Sequence, residues 1–271
     1  MEINELKEIA KQIRIDIINE VTSAASGHPG GSLSSVEIAT LLYFDIMNIP
    51  APDDPDRDRF VLSKGHASPL LYACLCEKGL FPREELLTFR KLGSHLQGHP
   101  DMNKVPGVDM TTGSLGLGIG TAVGMALAGK YDGKKYRVFA LLGDGEMQEG
   151  SVWEALMAAA HYKLSNLTVF VDNNNLQIDG RVSDVMSIYP IEDKLRAFGF
   201  ETVVVEDGND IGALRSAVTD LLSRECPGPR AVVARTTKGK GVSFMEDQAA
   251  WHGTAPSREQ AEEAIKEIME G

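Results

Sequence analysis

Three cysteines in 271 residues, at positions 74, 76 and 226, are too few and too unevenly spaced for a disulfide framework or a zinc site, and they point to a reducing compartment. Basic residues are also in deficit. Against 39 Asp and Glu there are 27 Lys and Arg, a formal net charge of −12 that argues against nucleic acid or an anionic membrane as the partner. No basic, apolar leader opens the chain, and its most apolar run, Leu115 to Gly129, is too short and glycine-rich to span a bilayer. A cytoplasmic protein is expected. What remains is ordinary: 43% hydrophobic and 24% charged residues, enough for a full core in one large domain or two small ones.

The informative stretch runs from Tyr136 to Gly180. YRVFALL (Tyr136 to Leu142) is apolar and β-branched and stops at Gly143-Asp144-Gly145. LTVFVD (Leu167 to Asp172) stops at Asn173-Asn174-Asn175, and Glu149 to Leu164 between them reads as a helix. Strand, helix and strand make a right-handed crossover, which predicts two parallel neighbours. At a spacing of ~5 Å, Asp144 and Asn174 would emerge together at the carboxyl edge, where open α/β sheets bind ligands. One carboxylate with neutral amide oxygens suits Mg²⁺, which takes its remaining oxygens from water and substrate phosphates. Glycines around Asp144 let backbone approach such a phosphate. The same residues are also plain turn chemistry, with Asp179-Gly180 a hairpin tip.

Ile3, Leu6, Ile9, Ile13, Ile17 and Val21 recur at helical spacing and predict a first helix ending near the Gly/Pro-rich loop Ser26 to Gly31. Ser34 to Met47 and Pro82 to Lys91 read as further helices, Phe60 to Ser63 as a short strand, and Thr111 to Gly120 as the glycine-rich opening of an Ala-rich helix. In that helix Gly118, Gly120 and Gly124 are expected to allow close packing. Neither GLGIGTAV nor GMALAGKY completes a nucleotide-binding fingerprint: the first lacks a glycine at the required place, and Tyr131 stands where the second needs Ser or Thr. The remainder predicts a helix at Ile191 to Ala197, a strand at Thr202 to Val205, a helix at Asp210 to Arg224, a strand at Ala231 to Arg235, and a last helix capped by Ser257 with Gln260. The expected architecture is α/β, a doubly wound, mostly parallel sheet flanked by helices, forming a single domain over residues 1–271. His28, His66, His99 and His252 each lie in loops beside Gly or Pro, where a histidine is at the surface as readily as in a cleft. Helix polarity is reason enough for Glu146 and Glu149.

GDGEMQEG with DNNNLQIDG resembles the thiamine diphosphate fingerprint in its transketolase form. GHPGGSLS, SKGHAS, QGHP, TTGSLGLG and the segment around His252 resemble further transketolase signatures, in order, along essentially the whole chain. The resemblance implies the thiamine diphosphate-binding fold, with thiamine diphosphate and Mg²⁺ as cofactors. It assigns Asp144, Asn174 and the Leu176 carbonyl to the metal, and Gly143, Gly145, Asn174, His66 and His252 to the diphosphate. Gly113, Ser114 and Leu115 would touch the aminopyrimidine and linker; His28, His99 and His252 would face the reacting substrate; and Glu149 would join a carboxylate network across a subunit interface. The implied reaction moves a two-carbon ketol unit from a ketose phosphate to an aldose phosphate. The family's pyrimidine-binding domain, with the glutamate that serves the aminopyrimidine, has no counterpart in this sequence. A separate C-terminal subunit is therefore the expected partner, in a heterotetramer. Two other readings stand beside this one. The α subunit of a 2-oxo acid decarboxylating complex shares GDG and NN but not GHPGG, SKGHAS or QGHP, and a non-catalytic scaffold need not keep Asp144, Asn174 and the histidines.

Overall fold

A computed structural model describes residues 1–271. In chain order the helices and strands are α1 (Ile3–Ala24), α2 (Pro29–Leu33), α3 (Val36–Leu41), β1 (Arg59–Leu62), α4 (Ser68–Glu77), α5 (Gly118–Tyr131), β2 (Val138–Gly143), α6 (Gly150–His161) and β3 (Leu167–Asn173). They continue with β4 (Leu176–Gln177), β5 (Gly180–Arg181), α7 (Val182–Val185), α8 (Ile191–Ala197), β6 (Glu201–Val205), α9 (Ile211–Ser223), β7 (Arg230–Arg235) and α10 (Arg258–Glu270). Five strands form one sheet in the order β1-β2-β3-β7-β6, every pair parallel. Gly143 stands opposite Asp172 in the β2–β3 register, as the strand, helix and strand pattern predicts. Leu176–Gln177 and Gly180–Arg181 pair as a small hairpin, so Asp179-Gly180 is indeed part of a tight turn.

Alternation along the strands divides the core in two. Phe60, Leu62, Phe139, Leu141, Phe170 and Val232 point to one face and pack under α1, α3, α4, α9 and α10. Val61, Val138, Ala140, Val169, Val171 and Val233 point to the other and pack under α5, α6 and α8. A side-chain period of two in central strands that are buried along nearly their whole length is what a parallel sheet covered on both faces demands. No helix is long and apolar enough to cross a membrane.

Two expectations need correction. Pro82 to Lys91 does not form an α-helix; only tight 3₁₀ turns cover Arg83–Thr88. Leu86 is the one buried side chain within those turns, and Phe89, the next buried residue, already has non-helical backbone (φ −45°, ψ 129°), so no apolar stripe holds the segment as an α-helix. Of Gly118, Gly120 and Gly124, the three expected to allow close packing, only Gly118 does: a Cβ there would lie 2.6 Å from Ser63 Cα, whereas one at Gly120 or Gly124 would meet open space; the close approach at the far end of α5 is made by Gly129, where a Cβ would lie 2.7 Å from Tyr136 Cζ.

One buried group works against stability. Glu20 on α1 is 0% exposed, and neither carboxylate oxygen has a hydrogen-bond partner. Burial, and then Asp16 one turn earlier, raise its pKa well above the usual range. Below the ordinary glutamate pKa of about 4.3 both folded and unfolded chains hold this proton. At higher pH the unfolded chain ionises freely and the folded chain does not, so stability falls as pH rises. Glu20→Met should therefore raise Tm at pH 8 and change it much less at pH 4, measured by calorimetric scans across that interval.

Candidate active site

Four neighbouring parallel strands end in loops that deliver polar side chains to one cleft. β1 leads into Ser63-Lys64-Gly65-His66, β2 into Asp144, β3 into Asn174, and β7 into Thr236-Thr237-Lys238. Lys64, His66, Asp144, Gly145, Asn174, Leu176, Lys238 and His252 line the cleft together, with Leu115, Gly143 and Glu149 also on its wall.

Beneath the cleft lies a buried ion pair. Lys64 Nζ donates to Asp172 Oδ2 at 2.7 Å, to Gly31 O at 2.6 Å and to Ser35 Oγ at 2.7 Å. Asp172 also accepts from Ser34 Oγ at 2.6 Å, Asn174 Nδ2 at 2.9 Å and Thr236 Oγ1. Burial alone would raise the Asp172 carboxyl, but the Lys64 ammonium and these donors hold it below the usual range. Because the Asn174 amide nitrogen is spent on Asp172, its oxygen faces the other way, where it accepts from Leu176 N at 3.0 Å.

Asp144 takes Gly145 N at 2.7 Å on Oδ1, and Asn175 N at 2.5 Å and Asn173 Nδ2 at 2.9 Å on Oδ2. Burial, followed by the nearby Asp172, pushes its pKa up to about 6. Lys238, 2% exposed, donates to Leu176 O at 2.9 Å, so a cation already rests on one of the three oxygens expected to hold metal. Burial lowers this lysine to about 8 although Asp172 and Asp144 oppose the shift. No group of three His, Cys, Asp or Glu side chains is placed to hold a metal ion. Asp144, Asn174 and the Leu176 carbonyl therefore offer a divalent cation a single formal charge. Such a donor set fits a hard ion that completes its shell with water and ligand phosphates.

The rings of His28, His66 and His252 form a triangle with centroids 5.2–5.4 Å apart. Burial lowers all three: His28 to about 4 with Arg90 adding, His252 to about 3 with Lys238 adding, and His66 well below the usual range with Lys64 adding. They are neutral N–H donors near pH 7. His99 lies outside this triangle but near His28, exposed and over Gly113, where a Cβ would come within 3.1 Å of its Cγ. Gly65 lies as close to the same loop: its Cβ would be 2.8 Å from Gly113 N. Ser114 and Leu115 follow on the surface.

Glu146 is not placed by helix polarity. Its buried carboxylate accepts from Ser63 Oγ at 2.5 Å, Gly116 N at 2.9 Å and Gly143 N at 3.2 Å, tying together three of the loops around the cleft. Glu149 caps α6 from an exposed position without a side-chain cap bond. Sequence reasoning missed Lys64, Asp172 and Lys238. The signal was present in Lys64 and Asp172, two opposite charges each closing an apolar strand. A larger hollow of about 480 Å³ between α1, α9 and α10 mixes both signs of charge, and lacks the residues gathered at the carboxyl edge.

A family model described as the transketolase thiamine diphosphate-binding domain matches residues 5–269. One of the subunits of the apulose-4-phosphate transketolase of Actinobacillus succinogenes is 43% identical over 271 residues, covering 98% of this chain and 97% of that protein. Transketolase of Mus musculus is 45% identical over 268 residues, covering 97% of this chain and 42% of that protein. Among solved structures, transketolase from Campylobacter jejuni superposes with a TM-score of 0.92 at 33% identity, over 99% of this chain and 43% of that one. The chain thus spans nearly all of the Actinobacillus protein and about two-fifths of the longer transketolases.

Breaking the buried pair on one side should be costly, because Asp172 would be left enclosed without its cation. Lys64→Met is expected to lower the unfolding free energy by about 3–5 kcal/mol, and adding Asp172→Asn should recover part of that loss, as read from denaturant midpoints.

Proposed function

The chain belongs to the transketolase family, and on that premise we propose that it is the N-terminal, diphosphate-binding subunit of a split transketolase. It binds thiamine diphosphate with Mg²⁺ and moves a two-carbon ketol unit from a ketose phosphate to an aldose phosphate, together with a separate C-terminal subunit. The observation that carries this reading is the meeting of Asp144, Asn174, Leu176, His66, His252 and Lys238 in one cleft. Two relatives that it covers over 97% and 96% of their length are named as single subunits of an apulose-4-phosphate transketolase, which supports a two-subunit enzyme, and a heterotetramer is the assembly we infer. Their names give apulose 4-phosphate as one donor to assay beside straight-chain ketose phosphates. Three unpaired cysteines support a cytoplasmic location.

Thiamine diphosphate, when bound, supplies a nucleophilic carbon and an electron sink. The residues of this chain bind and orient it. Asp144 Oδ, Asn174 Oδ1 and Leu176 O would hold Mg²⁺, with Asp172 keeping the Asn174 amide turned the right way. Lys238, His66 and His252, with Gly143 and Gly145, would meet the diphosphate oxygens, two of them as neutral imidazoles and one as a cation. Gly113, Ser114 and Leu115 would carry the organic ring, and His28 and His99 would face substrate hydroxyls. The Glu149 side chain, exposed and making no cap bond, is available to a partner surface. A 2-oxo acid decarboxylase and a non-catalytic scaffold are less well supported, since both the matching domain and the relatives above are transketolases.

Two outcomes test this. The chain alone should give no ketol transfer in a coupled assay with Mg²⁺, thiamine diphosphate and a ketose phosphate, and should become active when the partner subunit is added; turnover without a partner would refute the split arrangement. In the assembled enzyme Asp144→Ala should weaken Mg²⁺-dependent cofactor binding, read by calorimetric titration, by more than about 10–100-fold, the range found for outer-shell partners alone. Unchanged affinity would remove Asp144 from the metal site.

A further inference from the structure

Arg90 departs from its surroundings in its backbone and in its charge. Its φ is 59°, a left-handed conformation that costs a non-glycine residue on the order of 1 kcal/mol. Arg90 N donates to Leu96 O at 2.8 Å and pins it there. Its guanidinium meets no carboxylate: Nη1 donates to Ser26 Oγ at 2.6 Å, Nη2 to His28 Nδ1 at 3.4 Å, and the buried Nε has no partner. Gly98 leaves the room for it, since a Cβ there would come 2.8 Å from Nε.

A guanidinium can only donate hydrogen bonds. His28 Nδ1 must then offer its lone pair, and a neutral ring so held carries its hydrogen on Nε2. Nothing around the ring favours a second proton. The groups that face it are Arg90, His66, His252, His99 and Lys238, all neutral or cationic, and burial with Arg90 brings its pKa down to about 4. The same device recurs at the next histidine, where Lys238 Nζ donates to His252 Nδ1 at 2.9 Å.

We propose that Arg90 is a positioning residue that locks His28 in the neutral tautomer with its hydrogen on Nε2, so that His28 meets a sugar oxygen as a hydrogen-bond donor. This rests on the transketolase reading for the nature of the oxygen, but not for the tautomer. On this reading His28 faces the substrate as a donor and keeps its proton throughout.

The test labels the full chain with ¹⁵N in its six histidine rings and reads each tautomer by long-range ¹H–¹⁵N correlation near pH 7, with His28→Gln identifying the signals. The unsubstituted chain should show His28 protonated on Nε2 only; hydrogen on Nδ1 overturns the proposal whether or not any variant folds. Arg90→Met should mix or reverse the tautomer, and Arg90→Lys should restore it. An unchanged tautomer in folded Arg90→Met also overturns the proposal. With the partner subunit, Arg90→Met should lower kcat about a hundredfold, the loss of one directed hydrogen-bond donor, leave cofactor affinity within about twofold, and be rescued by Arg90→Lys. The tautomer needs neither partner nor cofactor, so failure of the transketolase reading would leave it standing and would show separately, as absent ketol transfer in the unsubstituted complex.

Discussion

The site depends on one enclosed ion pair. Lys64 and Asp172 leave the ends of two strands, β1 and β3, that are separated by β2 in the sheet, and meet at 2.7 Å with almost no exposure. A pair so deeply buried repays its desolvation only where its remaining hydrogen-bonding capacity is filled. Here it is filled from all sides: the Gly31 carbonyl and Ser35 on the lysine, and Ser34, Asn174 and Thr236 on the carboxylate. Those partners come from α2 and its exit, the loop after β3 and the loop after β7. The same contacts that satisfy the pair therefore set the spacing of the loops and the direction in which the Asn174 amide points.

Around this centre the chain gathers donors and cations, and it ties down the buried carboxylates among them, Asp172 in its ion pair and Glu146 by three donors. Asp144 is the one acid with its side chain at the expected metal position, while Lys64, Lys238 and three neutral imidazoles line or approach the same space. Such an arrangement suits a bound anion better than it suits the bare protein. Burial raises Asp144 and lowers Lys238; a bound cation would favour the ionised form of the first, and a bound phosphate the protonated form of the second. The histidines contribute directed N–H groups rather than charge, because burial and the neighbouring cations oppose their protonation.

Much of this was legible in the linear sequence. The parallel β2–β3 pair, its crossover helix, the placement of Asp144 and Asn174 at one edge, and the cap on α10 all follow from apolar periodicity broken by Gly, Asn or Ser, which are local signals. The 3₁₀ turns at Arg83–Thr88 escaped because a ten-residue segment with two buried side chains has no period strong enough to separate them from an α-helix. Glu146 was misread because acids at a helix start have an adequate local reason, and only the arrival of Ser63 and Gly116 reveals another.

By itself, then, the sequence determined which segments become strands and helices, which side of each is apolar, and which loops carry oxygen and imidazole groups, since each is a property of a few neighbouring residues. Only the tertiary structure decided that Lys64 should meet Asp172 across 108 positions, that Lys238 should reach Leu176 and His252, and that Arg90 should come to rest on His28. Those contacts are selected by the common cost of enclosing charge without a partner, and that cost exists only after the sheet has closed.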